Sequence, residues 1–246
     1  MAGGSTEKQT AIVTGGGKGI GAACVRALAE KGFRVGIHYR SSEDAATSLL
    51  SEIGDGFLLK ADLANIEGVE AMVTGLKEKT GRVDVLVNNA GVSVNADINT
   101  MRVEQFDAQR AAVRGAWYLT KRILRLFMIR AGKGRIINIS SVVGHTGNAN
   151  QIPYTMEKAA LDAFTKSLAQ EMAGRGILVN SVAPGLIESD MTVHLPEGVL
   201  GRIVEDIPLG RMGRPEEVAE VVAFLATGGS YINGTVIHVN GGLYGG

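Results

Sequence analysis

The segment IPYTMEKAAL at residues 152–161 places a phenol and an ammonium group four positions apart, on Tyr154 and Lys158. In an α-helix, positions i and i+4 lie on one face, so these two side chains would stand side by side. A tyrosine with an unperturbed pKa of about 10 is a poor acid or base at neutral pH, but a neighbouring cation favours the phenolate and lowers that pKa. The spacing therefore suggests proton-transfer chemistry, and the alternative is an ordinary surface pair.

A glycine-rich stretch, TGGGKGIG at residues 14–21, follows a short apolar run and begins a segment with helical periodicity. A chain that turns from strand to helix beneath a pyrophosphate needs residues without a Cβ, so that backbone N–H groups can approach the phosphates. The spacing departs from G-x-G-x-x-G, and Gly19 directly after Lys18 excludes a P-loop. We expect a dinucleotide phosphate to bind at this turn.

The second predicted strand ends in HYRSS, at residues 38–42. An acidic residue at this place would bind the 2′-hydroxyl of NAD and repel the 2′-phosphate of NADP. Arg40, Ser41 and Ser42 stand there instead, and Lys18 can approach from the glycine turn. The sequence therefore favours NADPH over NADH; the alternative is that Arg40 is a solvated charge at a strand end.

Short β-branched runs alternate along the chain with stretches of helical periodicity. Strands that are apolar on both faces and alternate with helices indicate a parallel sheet covered on both sides. The pattern predicts one doubly wound α/β domain at residues 9–246, after a flexible tail at residues 1–8. The predicted strands are 10–14, 32–39, 56–62, 82–90, 135–140, 177–183 and 234–240, and the predicted helices are 19–31, 41–53, 66–79, 102–131, 155–174 and 215–226.

The connection at residues 184–217 is the most irregular part of the sequence, with four of the five prolines. A long connection at this point predicts a mobile lid over a substrate site. The alternative is a long surface loop without a role in binding.

The bulk composition excludes several classes of function. Lys and Arg (25) balance Asp and Glu (25), so no net charge would attract the molecule to nucleic acid or to an anionic membrane. The longest apolar runs are too short to cross a bilayer. Cys24 is the single cysteine, and we expect it to be a core residue. The N-terminus lacks a signal-peptide pattern, so we expect a cytoplasmic protein.

Five motifs in order resemble the short-chain dehydrogenase/reductase family. They are T-G-x-x-x-G-x-G at 14–21, N-N-A-G at 88–91, Ser141 thirteen residues before Tyr154, Y-x-x-x-K at 154–158 and P-G at 184–185. The resemblance implies a single-domain Rossmann-type fold. Within the family, segments such as RIINISSVVG and HVNGG are most similar to bacterial reductases of 3-oxoacyl thioesters in fatty acid synthesis.

The resemblance also implies roles for individual residues. Ser141 would hold the substrate carbonyl oxygen, and Tyr154 would donate the proton in ketone reduction. Lys158 would lower the pKa of Tyr154 and bind the nicotinamide ribose, while the nicotinamide delivers the hydride. No metal is expected. The full set of expected NADPH contacts is Thr14, Gly15, Gly17, Lys18, Gly19, Ile20, Gly21, Arg40, Ser41, Asp62, Leu63, Asn88, Ala90, Gly91, Tyr154, Lys158, Pro184, Gly185, Ile187 and Ser189.

The same resemblance implies two kinds of macromolecular partner. The substrate would be carried by an acyl-carrier protein or by CoA, and Arg175, with Arg130 and Lys133 as looser candidates, would meet the acidic carrier near the mouth of the site. The alternative is that these are solvated helix ends. A homotetramer would form through the helices at 102–131 and 155–174 and the C-terminal strand, with Trp117, Phe164 and Leu168 as candidate seam residues, although core burial is the more frequent fate of such side chains.

The sequence departs from the family pattern in one helix. The family has an asparagine that orders a water beside the lysine, but the matching position here is Ala112 or Val113, and residues 100–137 contain no asparagine. Glu157 replaces a small residue, and we expect it to be harmless because neighbouring helix positions point different ways. The departure motivates one alternative function, a catalytically weak NADP(H)-binding sensor or scaffold. The substrate loop, the part of the sequence that is hardest to interpret, leaves open another, a reductase or dehydrogenase for other ketones or secondary alcohols.

Overall fold

The computed structural model describes residues 8–189, 201 and 203–245. Within them, seven parallel strands form one sheet in the order β3-β2-β1-β4-β5-β6-β7. The predicted doubly wound α/β fold is confirmed. The strands are β1 Thr10–Val13, β2 Arg34–Tyr39, β3 Gly56–Lys60, β4 Val85–Asn88, β5 Gly134–Ile139, β6 Ile177–Pro184 and β7 Val236–Val239.

The helices cover both faces of the sheet. Helices α1, α2 and α8 pack on one face, and α3, α4 and α7 pack on the other. A π-helical turn at Leu124–Met128 joins α4 to α5, and a 3₁₀ turn at Ala173–Arg175 ends α7. The helices are α1 Gly19–Glu30, α2 Glu43–Ile53, α3 Ile66–Lys79, α4 Val103–Ile123, α5 Ile129–Ala131, α6 Val143–Thr146, α7 Ile152–Met172 and α8 Pro215–Thr227.

The hydrophobic core divides into two layers because successive strand residues point to opposite faces. On β1, Ala11 and Val13 contact the layer that contains α1 and α8, whereas Ile12 contacts the layer of α3, α4 and α7. All three are fully buried. The continuous apolar runs of the sequence therefore reflect a sheet that is covered on both sides.

Several boundaries differ from the sequence prediction by up to three residues, and one short helix was not predicted. Helix α7 begins at Ile152, three residues earlier than predicted, with Pro153 in its first turn. Proline has no N–H to donate, and the first turn of a helix needs none, so Pro153 fits there instead of ending the helix. The short helix α6, Val143–Thr146, was not predicted because a single turn is too short to give a periodic pattern.

The order of the strands determines where a ligand can bind. The chain leaves β1 for β2 on one side of the sheet and, later, enters β4 on the other side, so a crevice opens at the carboxyl ends of β1 and β4. Thr14 follows β1, and Asn88 is the last residue of β4. The predicted glycine turn and the N-N-A-G segment therefore meet at this crevice.

The predicted tail and lid are described only in part. Residues 1–7 lie outside the described residues, and Lys8 pairs with Asp55 at 2.8 Å. Residues 190–200 and 202 of the predicted lid also lie outside them. Among the helices that the structure describes, none has the length and apolar character needed to cross a membrane. No group of three or more metal-ligating side chains occurs in the described residues.

Candidate active site

The glycine turn is folded so tightly that a side chain would not fit at its end. A Cβ added to Gly21 would lie 2.1 Å from the carbonyl oxygen of Gly15, and Gly15 itself has a φ of +63°. Helix α1 begins at Gly19, so the unpaired N–H groups of its first turn face the crevice. This Cβ-free surface with free backbone donors fits a pyrophosphate.

His38 fixes the glycine turn to the end of β2. Its Nδ1 accepts a hydrogen bond from the N–H of Gly15 at 3.1 Å, and its Nε2 lies 3.1 Å from the carbonyl oxygen of Ala61. Burial lowers the pKa of His38 to about 4. The imidazole is therefore neutral at pH 7, and its proton lies on Nε2. Sequence reasoning missed this role, because no local pattern links residue 38 to residue 15.

Thr14 joins the glycine turn to the N-N-A-G segment. Its hydroxyl accepts hydrogen bonds from the N–H groups of Asn89 and Ala90 at 2.9 and 3.0 Å and donates to the carbonyl oxygen of Val87. The Asn89 side-chain amide donates to the carbonyl oxygens of Thr14 and Gly15. The two motifs, 75 residues apart in sequence, form one rigid floor beneath the crevice.

Asn88 uses its side-chain amide within the sheet. Its Nδ2 donates to the Thr120 hydroxyl at 2.9 Å and to Asn138 Oδ1 at 2.8 Å, while its buried Oδ1 has no hydrogen-bond partner. Asn138 in turn donates to the Thr165 hydroxyl at 2.8 Å. Asn88 therefore connects β4 to β5 and α4, which supports a structural role alongside the predicted position on the cofactor's path.

Two cations lie near the end of β2, at the edge of the sheet where the crevice opens. Lys18 and Arg40 are both exposed, and Ser42 lies against Gly17 of the glycine turn. The next acid, Glu43, is bound to Lys60 at 2.7 Å. No carboxylate occupies the place of Arg40, so the arrangement favours a 2′-phosphate.

The predicted adenine-side residues lie on the loop that follows β3. Asp62 is exposed, and its Oδ1 accepts a hydrogen bond from the N–H of Ala64 at 3.0 Å. Leu63 is buried against α4, where its carbonyl group contacts Gly115 closely. The exposed carboxylate of Asp62 leaves one oxygen free for a ligand at this edge.

Ser141, Tyr154 and Lys158 come together at the carboxyl end of β5. Ser141 lies just beyond the end of that strand, and Gly144 in α6 packs so closely on α7 that a Cβ would lie 2.9 Å from the backbone nitrogen of Ala159. This contact holds the serine against the first turns of α7, where its hydroxyl interacts with that of Tyr154. Lys158 Nζ donates to the carbonyl oxygen of Ile139 at 2.8 Å and lies 5.4 Å from the centre of the Tyr154 ring. The predicted phenol–ammonium pair is present.

Burial dominates the pKa of Tyr154. Burial raises the pKa of Tyr154 above its usual value, the Ser141 hydroxyl opposes that rise, and the negative charge of Glu157 adds to it. The lowering of this pKa by the ammonium together with the positive charge of the nicotinamide stays a prediction. A protonated phenol at neutral pH is, however, the form that a proton donor requires.

Glu157, the acid that we expected to be harmless, makes contacts within the chain. The side chain is buried, and its Oε2 accepts a hydrogen bond from Gln109 Nε2 at 2.7 Å. Gln109 Nε2 also donates to the carbonyl oxygen of Val92, and Gln109 Oε1 accepts from the N–H of Val94. The prediction considered only helix α7, whereas Gln109 reaches this residue from α4. Ala112 and Val113, the two positions that match the family asparagine, line a cavity beside this pair.

The segment after β6 forms the other wall of the crevice. Pro184 ends the strand, the N–H of Gly185 donates to the carbonyl oxygen of Val239 at 2.9 Å, and Ile187 pairs with Gly213 in an isolated bridge. Ser189 is the last residue described before the gap. A second cavity of about 240 Å³ lies here. Its lining includes Leu186, Ile187, Leu209, Arg211, His238 and Asn240.

The three basic residues predicted to meet a carrier protein do not lie at this edge of the chain. Arg130 and Lys133 precede β5, and Arg175 precedes β6. These strands are parallel and in register, so the three residues lie at the amino ends of the strands, opposite the edge that holds Tyr154. Within one chain, the prediction that these residues flank the mouth of the site is therefore wrong. Matching them to the family gave no information about whether they lie at the amino or the carboxyl ends of the strands.

The predicted seam residues have different surroundings. Trp117 is 47% exposed, whereas Leu168 is 8% exposed and belongs to the core layer of α3, α4 and α7. Phe164 packs against the same layer. Trp117 is therefore the one of the three that is available for contact with another chain. Cys24 is fully buried in the other core layer, as predicted.

The arrangement agrees with what comparison with known proteins finds. A family model described as Enoyl-(Acyl carrier protein) reductase matches residues 15–244. A 3-oxoacyl-[acyl-carrier-protein] reductase of Vibrio cholerae is 42% identical over 241 residues, which cover 97% of this chain and 98% of the relative. The chain belongs to the short-chain dehydrogenase/reductase family. Family membership makes it an oxidoreductase, and it confirms the resemblance inferred from the five motifs.

Two further relatives of the family carry the same description. A 3-oxoacyl-[acyl-carrier-protein] reductase of Synechocystis sp. is 40% identical over 242 residues, with 96% of each chain covered. One of Haemophilus influenzae is 42% identical over 237 residues, with 95% of this chain and 97% of the relative covered. The family model and these relatives differ in the bond that their names describe, a carbon–carbon double bond in the first case and a ketone in the second.

The glycine turn allows a direct test of cofactor binding in this family member. Replacing Gly21 with Ala puts a methyl group against the backbone of Gly15, so either the turn or α1 must shift. We expect the Kd for NADPH to rise at least ~10-fold, which corresponds to about 1.4 kcal/mol. Gly75→Ala, at a helical position with open space around it, is the matched control. Fluorescence titration with NADPH measures the Kd of both variants. A wild-type Kd in Gly21→Ala would show that the turn does not touch the cofactor.

Proposed function

We propose that the protein reduces the ketone of a 3-oxoacyl thioester to a 3-hydroxyacyl thioester with NADPH, as a step of fatty acid biosynthesis. The observation that carries this proposal is the grouping of Ser141, Tyr154 and Lys158 at the crevice edge, beside a turn shaped for a dinucleotide. The names of the three relatives support the choice of a 3-oxoacyl substrate.

The side chains have distinct tasks in this mechanism. The Ser141 and Tyr154 hydroxyls bind the substrate carbonyl oxygen from two directions and orient its carbon toward the crevice. NADPH supplies the hydride that this carbon accepts. Tyr154 donates its proton to the carbonyl oxygen, and burial, which raises its pKa, keeps that proton in place at neutral pH. The positive charge of Lys158, fixed by the carbonyl oxygen of Ile139, then stabilises the phenolate.

Lys158 retains its charge despite its surroundings. Burial lowers the pKa of Lys158 to about 8, while the charges of Glu157 and Asp162 oppose that decrease. The ammonium is therefore still the major form at pH 7. Negative charge develops on the Tyr154 oxygen as its proton leaves, and the nearby ammonium of Lys158 stabilises that charge.

Arg40 provides the test of cofactor preference. A charged hydrogen bond contributes about 1.5–3 kcal/mol, so we expect Arg40→Asp to lower kcat/KM for NADPH by roughly 10- to 100-fold while kcat/KM for NADH stays the same or rises. Lys31→Asp, an exposed cation at the opposite end of α1, is the control for a change of net charge. An unaltered NADPH-to-NADH ratio in Arg40→Asp would exclude the 2′-phosphate contact.

The proposed partners are an acyl-carrier protein or CoA as the carrier of the acyl chain, and three further copies of the chain in a cytoplasmic homotetramer. The exposed Trp117 on α4 supports an interface between chains. The basic residues at the opposite edge could act on a carrier only if a second chain brought them near this crevice. Size-exclusion chromatography with light scattering measures the assembly directly.

The function itself is tested by following NADPH oxidation with acetoacetyl-CoA. We expect clear turnover with this ketone and little with crotonyl-CoA, the unsaturated thioester that the name of the family model describes. Turnover with crotonyl-CoA alone would overturn the ketone assignment. NADPH binding without turnover of either thioester or of simple ketones would support the sensor or scaffold alternative.

A further inference from the structure

A buried acid beside Lys158 has no role in the mechanism described so far. Glu157 is 6% exposed, and an ionised carboxylate is rarely buried to this extent unless it is paired. Its Oε2 is bound by Gln109, but its Oε1 has no hydrogen-bond partner. A buried oxygen left in this way needs a physical explanation.

A cavity next to Glu157 supplies that explanation. It measures about 20 Å³, and a site of 10–15 Å³ is enough for one water. Glu157, Lys158 and Asn88 all line it, and Asn88 Oδ1 is the second buried oxygen without a partner. The residues that line this space carry two acceptor oxygens without a partner and one ammonium group, which is enough for the two to four polar contacts that a buried water makes.

The cavity also leads outward. Gly91, which is exposed, and Ala112 and Val113, which are partly exposed, complete its wall. Small side chains at 112 and 113 leave room there without offering a polar group. Protons can therefore reach the cavity from solvent, and the only side chain in its lining that can hold a proton, apart from Lys158, is Glu157.

We propose that Glu157, positioned by Gln109 and joined to Lys158 through one water in this cavity, supplies the proton that restores Tyr154 after each reduction. The inference rests on the proposed function. Glu157 acts through Lys158 and does not touch the substrate.

The proton balance of the cycle is simple. Tyr154 loses its proton to the carbonyl oxygen as the carbon accepts the hydride from NADPH. The Lys158 ammonium then returns a proton to the phenolate and becomes an amine. The Glu157 carboxyl group protonates that amine through the water and takes a proton back from solvent. Each turnover therefore consumes one hydride and one proton, as ketone reduction requires.

The acidities of the two groups suit this direction of transfer. Burial raises the pKa of Glu157 to about 7, and the Gln109 hydrogen bond and the charges of Lys158 and Arg110 oppose that rise. The pKa of Lys158 is about 8. A carboxyl group with the lower pKa gives its proton to the amine. The titratable and charged groups that face Glu157 are Lys158 and Tyr154 on α7 and Arg110 on α4.

The test compares Glu157→Gln with the wild type. Glutamine keeps an oxygen for Gln109 but cannot exchange a proton. We expect kcat at pH 6 to fall about 10-fold, less than the 10²–10⁴ of a group that acts on the substrate directly. Wild-type kcat should decline as pH rises through about 7, the pKa of Glu157, and this inflection should vanish in Glu157→Gln. Glu171→Gln, an exposed acid on the same helix, should behave as the wild type.

Gln109→Ala separates a relay from a structural clamp. The Gln109 hydrogen bond lowers the pKa of Glu157, so its removal should move the inflection to higher pH. A residue that only fixes the loop after β4 would change kcat without moving that inflection. If Glu157→Gln folds poorly, Glu157→Ala serves in its place, since it also removes the titrating group.

Two readouts do not depend on turnover. Infrared spectra of the wild type should contain a protonated carboxyl band that disappears as pH rises through about 7 and is absent from Glu157→Gln. A group with a raised pKa stabilises the folded state below its unfolded pKa, and this contribution is lost as pH rises through the folded pKa. The Tm of Glu157→Gln relative to wild type should therefore be higher at pH 8 than at pH 5 by at least ~2 °C.

The outcomes distinguish this inference from the function on which it rests. Wild-type protein that does not oxidise NADPH with any ketone defeats the proposed function, while the infrared titration still reports on Glu157. An active enzyme in which Glu157→Gln keeps both kcat and the pH inflection overturns the relay. Identical infrared spectra of the two proteins overturn it as well.

Discussion

Tyr154→Phe is expected to lower kcat for acetoacetyl-CoA reduction by about 10²–10⁴-fold, the usual range for loss of a general acid. Phenylalanine keeps the ring but removes the hydroxyl that interacts with Ser141 and donates the proton. The NADPH affinity should change by no more than about twofold, because the glycine turn, the β2 end and Lys158 are untouched. Stopped-flow NADPH oxidation and a fluorescence titration measure the two quantities separately.

Tyr118→Phe is the matched control for this variant. The Tyr118 hydroxyl binds Glu70, which also pairs with Arg122 at 3.1 Å, so it links α3 to α4 at the surface away from the crevice. Its activity should stay within about twofold of wild type. If Tyr154→Phe retained wild-type kcat, the phenol could not be the proton donor, and the catalytic assignment would be lost.

Lys158→Met is expected to affect both binding and chemistry. Methionine approximates the length of lysine without its charge, so the electrostatic stabilisation of the developing phenolate disappears. We expect kcat to fall roughly 10²–10³-fold, as when a preorganised donor is removed from an oxyanion site. The Kd for NADPH should rise at least ~10-fold if the ammonium binds the nicotinamide ribose, as proposed. This combined effect distinguishes Lys158 from Tyr154.

The stability of Lys158→Met gives an independent check. Burial lowers the pKa of Lys158, so the charged amine at neutral pH reduces the free energy of unfolding. The variant should therefore unfold at a Tm no lower than that of wild type. Lys166→Met, an exposed position on the same helix, controls for the loss of a cation. Unchanged kcat in Lys158→Met would remove the amine from the mechanism.

The fold could be predicted from the sequence because its signals are local and strong. Each strand is a short apolar run, β-branched in all but β3, and all seven predicted strands overlap the observed ones. The exceptions are the one-turn helix α6, which was not predicted, and the early start of α7, whose first turn contains Pro153. The π turn at Leu124–Met128 interrupts a helix that the pattern shows as continuous.

The candidate site could be predicted only where a motif marks it. The glycine turn and the pair of Tyr154 and Lys158 were found by their spacing, Ser141 was implied by the family resemblance, and the structure brings them to one edge. His38, Asn138 and Gln109 act through contacts between residues far apart in sequence, 23 positions for His38 with Gly15 and 48 for Gln109 with Glu157. No pattern within one element contains that information. For the same reason, the contact of Glu157 with Gln109 was not predicted, and the edge on which Arg175 lies was predicted wrongly.

The most direct test of the central claim uses NADPH that carries deuterium at the transferable position of the nicotinamide ring. With acetoacetyl-CoA, the enzyme should form 3-hydroxybutyryl-CoA with deuterium on C3, the carbon that bears the new hydroxyl, while Tyr154→Phe forms almost none in the same time. Mass spectrometry and NMR of the product locate the label. A product without deuterium at C3, or labelled product formed equally well by Tyr154→Phe, would contradict the account.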